Sequence, residues 1–145
     1  MAYCTLADLQ AIITEQDLIQ LTDDTVPSAA VNTDNVDKAI ADASELIDGY
    51  LRERYSLPLS PLPGLIGTLA CDIAAYRLYG RRARLTTPES VTERYKNALV
   101  LLAKIQEGKI ALGAGSVTTP EASTGSVSVI QGPDRVFSRE KLRDY

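Results

Sequence analysis

Histidine is absent from all 145 residues, and so is tryptophan. The first absence removes the commonest general base and the commonest transition-metal ligand together. No serine or cysteine has an imidazole to activate it, so no enzymatic activity is expected. The second absence, with one Phe and one Met against seven Tyr, leaves a core built mainly of aliphatic side chains. Cys4 and Cys71 are the only cysteines. Two make no disulfide framework and match no zinc-ligand spacing. Both read as small buried hydrophobes rather than reactive thiols. No metal and no cofactor is expected.

Long apolar runs are missing too. Met1 leads straight into AYCTLADLQ, without the basic stretch and apolar run of a secretory signal. The most apolar segment, Leu65–Tyr79, is too short to span a bilayer and holds Asp72 and Arg77. The expectation is a cytoplasmic chain with no membrane partner. Phosphate-binding loops are lacking as well: EGKIALGAG has glycine and lysine without the required spacing, and reads as a helix stop at Gly108 followed by a solvated Lys109.

What is present fits one globular domain. The chain is 45% hydrophobic and 23% charged, with a net charge of −4. That charge is unevenly spread. Residues 1–50 hold ten Asp/Glu and one Lys, whereas residues 51–110 hold ten Lys/Arg and five Asp/Glu. Such asymmetry points to a nucleic-acid face, a self-complementary assembly, or two halves that attract within one fold.

The periodicity predicts an all-α fold of three main helices plus short N-terminal helices, with an extended C-terminal tail. Thr5 and Thr14 are N-caps of two short helices, and Asp8 sits at the third position of the first. The polar run 22–33 reads as a loop. Asn32 or Thr33 caps a long amphipathic helix, Asp34–Arg54. The prolines Pro58, Pro61 and Pro63 then stiffen the connection, the last near the first turn of the next helix. Gly64–Arg82 follows, apolar on most of its circumference. Thr87 caps the third main helix, Pro88–Glu107. Ile40, Ile47, Leu69, Ile73, Leu99 and Leu102 are the expected interior. Residues 1–111 form the helical domain, and 112–145 a Gly/Ser-rich linker and tail.

Three features are candidates for more than architecture. Asp72 shares a helical stripe with Leu65, Leu69, Tyr76 and Tyr79, so its carboxylate requires a partner. An Arg or Tyr is expected, on the preceding helix for choice. Asp23 and Asp24 lie in the polar loop and read as solvated. Arg77, Arg81, Arg82 and Arg84 form one basic cluster at a helix end, where cations are favoured in any case.

The stretch AIADASELIDGYLRERYSLPLSPLPGLIGTLACDIAAYRLYGRR, with the opening YCTLADLQAIITEQDLIQLTD and the ending RVFSREKLRDY, resembles the phage Mu-like prophage protein family of tailed-phage head–tail gene sets. The specific parts are Asp48–Tyr50, Arg54–Pro58 and Leu69–Tyr79, none of them a catalytic motif. That family is similar to the head–tail connector, or adaptor, proteins of long-tailed phages. These are small helical proteins that form a ring under the portal, with a tail segment reaching a neighbour.

The resemblance implies a structural virion protein of the neck, assembled in the host cytoplasm. Its partners would be copies of itself, the portal and tail-completion proteins, with DNA close by. Within that picture Pro58, Pro61 and Pro63 hold an inter-helix angle. The acidic surface of the first fifty residues faces the basic surface near Arg77, Arg81, Arg82 and Arg84 of the next subunit, or of the portal. Val127, Val129, Val136 and Phe137 are docking residues of the tail. The alternative is a small helical regulatory or DNA-associated module using the Arg77–Arg84 cluster.

Overall fold

The computed structural model describes residues 1–25, 27, 29–82 and 85–113. Arg84 and the tail residues Val127, Val129, Val136 and Phe137 lie outside them. The described residues form five helices and no strand: α1 Leu6–Gln10, α2 Glu15–Thr22, α3 Thr33–Leu51, α4 Gly64–Arg81 and α5 Glu89–Gln106.

The helix starts follow from local chemistry. Thr5 and Asp8 close a reciprocal capping box: Asp8 N–H donates to Thr5 Oγ1 at 3.4 Å, and Thr5 N–H to Asp8 Oδ2 at 2.8 Å. Thr14 Oγ1 accepts from Asp17 N–H at 3.2 Å. Asn32 Oδ1 accepts from Asp34 and Asn35 N–H and so begins α3. α5 starts one residue later than the composition suggests. Pro88, not Thr87, is its N-cap, because the Pro88 carbonyl accepts the first bonds, from Val91 and Thr92 N–H. Gly108, at φ +78°, ends the last helix in the left-handed region that glycine enters without strain.

α4 is the central element. It packs against α1, α2, α3 and α5, which is why most of its circumference is apolar. Ile66, Leu69, Ala70, Ile73, Ala74 and Leu78 are buried there, and Val36, Ile40, Ala43, Ile47 and Leu51 meet them from α3. α3 ends at Leu51, three residues short of Arg54, and the chain turns through 52–54. The proline-rich connection is anchored by its apolar residues. Tyr55 and Leu59 are buried, whereas Pro58 and Pro61 stay exposed and Pro63 is the N-cap of α4. Tyr55 Oη also accepts from Leu112 N–H at 3.1 Å, tying the end of the described chain to the start of this link.

One expected interior position is not fully covered. Leu99 is half-buried and stands outside the core cluster. α5 is rotated so that Ala98, Leu102 and Ile105 point inward, with Leu101 flanking them. That places Leu99 on the outer edge. Ile40, Ile47, Leu69, Ile73 and Leu102 are buried as expected.

Candidate interaction interface

The basic cluster at the end of α4 folds back onto the end of α2. Arg81 Nη1 donates to the Leu21 carbonyl at 3.1 Å, and its other terminal nitrogen bonds the Asp24 carboxylate. Arg82 Nη2 donates to the Asp23 carbonyl and pairs with Asp24 Oδ1 at 3.2 Å. α2 has no basic residue in its own last turn. Its final carbonyls carry partial negative charge and lack intrahelical donors. Arg81 supplies both the cation and the hydrogen bonds from another helix. Arg77, further along α4, lies 3.8 Å from Asp42 on α3.

The loop between α2 and α3 is built rather than solvated. Asp23 is buried, and its carboxylate accepts from Thr25 N–H at 2.9 Å and Ala29 N–H at 2.8 Å, with the Thr25 hydroxyl at 2.7 Å. These bonds, led by the Ala29 and Thr25 amides, hold the carboxyl well below the usual range. Thr22 completes the corner: its Oγ1 accepts from Asn32 N–H, and its carbonyl from the Asn35 side-chain amide. The expectation of a solvated Asp23–Asp24 pair therefore fails for Asp23, because local backbone amides converge on it. Among the described residues no group of three or more acidic or cysteine side chains is arranged to hold a metal ion.

Asp72 has only a distant cation. Its side chain is 15% exposed, and the nearest cation is Arg94 of α5 at 4.0 Å, itself 55% exposed. The partner is thus on the following helix, not the preceding one. Burial raises the carboxyl above its ordinary range, and the Arg94 charge opposes this without cancelling it. One turn along, the Tyr76 and Tyr95 rings stack with centroids 4.0 Å apart, closing the α4–α5 seam beside this carboxylate.

The N-terminal segment is fixed against α3 and α4. Tyr3 N–H donates to Ser44 Oγ at 3.2 Å, and the Tyr3 hydroxyl bonds the Asp48 carboxylate. Burial, with Asp48 beside it, pushes the Tyr3 hydroxyl up. Cys4 and Cys71 of α4 are both buried, and the neighbouring Cys71 thiol together with burial pushes the Cys4 thiol above its ordinary range.

A family model described as Bacteriophage Mu, Gp36 matches residues 3–131. The chain belongs to the Bacteriophage Mu Gp36 family. It is 31% identical to Gene product J of Escherichia phage Mu over 141 residues, which is 97% of each chain. It is 34% identical to the Mu-like prophage FluMu protein gp36 of Haemophilus influenzae over 111 residues, 76% of this chain and 74% of that one. This Gp36-family protein is therefore phage-encoded. No helix among its described residues is long and apolar enough to cross a membrane.

In this Gp36-family chain the charge asymmetry is resolved unevenly. Arg77, Arg81 and Arg82 each meet an acidic residue of the first fifty within the subunit. Asp34, Asp37, Ala41 and Glu45 form an exposed stripe along α3 at helical spacing, with the exposed Lys38 on the same face one turn after Asp34. Among the described residues no cation pairs with Asp34, Asp37 or Glu45. The sequence by itself already places acidic residues on the outside of the first half of this helix. The signal was there, in the three- and four-residue recurrence of 34, 37, 41 and 45.

Proposed function

We propose that this protein is a non-enzymatic structural subunit of the phage neck, a head–tail connector or head-completion protein that associates with its own copies in a ring under the portal. The observation that carries the reading is the exposed acidic stripe on α3, where Asp34, Asp37 and Glu45 outnumber Lys38. The strongest basic cluster nearby, Arg77–Arg82, is engaged inside the subunit. The stripe is then free to meet cations of another chain, as one face of a head-to-tail interface with two different faces. Similarity over nearly the whole chain to a gene product of phage Mu supports a role in the phage life cycle.

The DNA-associated alternative draws little support from the same cluster. The Arg81 and Arg82 guanidinium groups, already bonded to Asp24 and to backbone carbonyls, offer few free donors to phosphates.

Native mass spectrometry and negative-stain electron microscopy of the concentrated full chain test the reading. Closed oligomers are expected at low salt, loosening as the screening length falls from ~10 Å at 0.1 M to ~3 Å at 1 M. A chain that stays monomeric at every concentration and binds DNA in a salt-dependent manner would favour the alternative.

A further inference from the structure

Cys4 and Cys71 are the only cysteines of the protein, 67 positions apart in sequence, and the fold makes their thiols neighbours. Cys4 is 4% exposed and Cys71 5%, both within the core cluster. Their meeting follows from how the N-terminal segment lies on α4. Tyr3 is held by its N–H on Ser44 and its hydroxyl on Asp48, and Thr5 by the capping box of α1. Cys4, between two fixed residues, is fixed as well. The Tyr3 carbonyl oxygen, in the peptide unit that joins Tyr3 to Cys4, lies 3.5 Å from where a Cβ at Gly67 would stand. The backbone of the segment therefore rests on α4 one helical turn before Cys71. Residues four apart share a helix face, so Cys71 follows Gly67 beneath the same segment. Two cysteines can be joined only where their Cα atoms come within about 7 Å, a condition favoured by a backbone laid directly on a helix.

Access is one-sided. Cys4 borders a half-open cleft of about 430 Å³ between the N-terminal segment and α3, and Cys71 does not. A small oxidant therefore meets Cys4 first.

We propose that Cys4 and Cys71 are a modification site, at which a low-molecular-weight disulfide oxidises the pair to an intrachain disulfide that fastens the N-terminal segment to α4. The Cys4 thiol gives its proton to water, and its sulfur attacks one sulfur of the small disulfide. That S–S bond breaks and one small thiolate leaves. Cys71, its proton likewise lost, then attacks Cys4 Sγ and expels the second small thiolate. Both thiolates take up protons. The cysteine pair is oxidised by the two electrons that reduce the small disulfide. The pair stays open where thiols are kept reduced and closes in oxidising surroundings. The cross-link does not depend on the self-association put forward above.

The test incubates the full chain with oxidised glutathione, quenches with acid, unfolds and alkylates the product, and weighs it. The expected product is a single chain lighter than the reduced one by two hydrogens, with the Cys4 and Cys71 peptides joined, and dithiothreitol reverses it. Its thermal midpoint should lie roughly 5–10 °C above that of the reduced chain, because the closed loop is long. Cys71→Ala should stop at the mixed disulfide and hold about tenfold more glutathione on Cys4 than the parent chain, since no second thiol displaces it. Cys4→Ala should take up little. A parent chain that stays alkylated on both thiols, keeps glutathione as its end product, or cross-links to a second chain overturns the pairing, and these measurements decide it whichever variants fold. Equal uptake by the two variants overturns Cys4 as the point of entry. A disulfide that forms without raising the midpoint overturns its role as a fastening.

Discussion

Arg81 Nη1 reaches the Leu21 carbonyl oxygen at 3.1 Å across 60 positions of chain, and in doing so caps a helix to which it does not belong. The cation is a structural part of the α2–α4 junction, with the Asp24 carboxylate on its other side. Its removal leaves the Leu21 carbonyl without this donor and Asp24 with Arg82 alone.

Arg81→Ala should therefore destabilise the fold by about 1–2 kcal/mol, the range for hydrogen bonds to a charged group, reduced because part of the side chain is exposed. Asp24→Asn should cost less, since that carboxylate is mostly solvated and keeps Arg82 nearby. Urea denaturation measures both. A cost for Asp24→Asn as large as that for Arg81→Ala would show that the ion pair, not the helix end, is what Arg81 serves.

The rotation of α5 gives a sharp contrast between neighbours in one turn. Leu102→Ala should cost about 2–5 kcal/mol by opening a cavity, and Leu69→Ala a similar amount. Leu99→Ala should cost less than about 1 kcal/mol, because its side chain is half in water already. Equal costs at 99 and 102 would mean that the inward face has been assigned wrongly.

Asp72 sets up a pH effect of unusual sign. Its native pKa is raised, chiefly by burial, so the folded state holds its proton more tightly than the unfolded chain. The contribution is favourable below the ordinary carboxylate range, near 4, and is lost as pH rises through the native value. Asp72→Asn should leave stability at pH 7 unchanged or increased. The parent should gain on the variant as the pH is lowered toward 4. Thermal midpoints of the two proteins along a pH series decide it. A clear loss on Asp72→Asn at neutral pH would mean that the Arg94 pairing outweighs burial.

Asp23 acts in the opposite direction. Backbone amides depress its native pKa, so its contribution is present above the unfolded value near 4 and disappears as pH falls. Asp23→Ala should destabilise the protein at neutral pH by opening the corner around Thr25 and Ala29. The difference from the parent should narrow steadily below pH ~4. A gap that stays constant across that range would assign the effect to packing rather than to the carboxylate.

Much of this architecture was legible residue by residue. The caps at Thr5, Thr14 and Asn32 and the stop at Gly108 depend on side chains and backbone groups within a few positions of each other, and such short-range rules hold whatever surrounds them. The burial of α4 on several sides was readable from its composition, since apolar residues all round a helix leave no solvated face. Three arrangements were not readable. Leu99 satisfies the same spacing as Leu102, and only the angle at which α5 meets α3 and α4 decides which of the two is covered. Asp72 was marked as needing a partner, but whether α3 or α5 supplies it depends on helix rotation. The basic cluster of α4 could meet a carboxylate anywhere within reach. The approach of the α2 end to the α4 end, which closes only when both helices dock, turned Arg81 and Arg82 inward to Asp24 and left the α3 stripe as the unmatched surface. Local sequence determined where the helices are and which residues each has to hide. The tertiary structure decided which charges are satisfied inside the subunit, because that is settled by distances between residues some sixty positions apart.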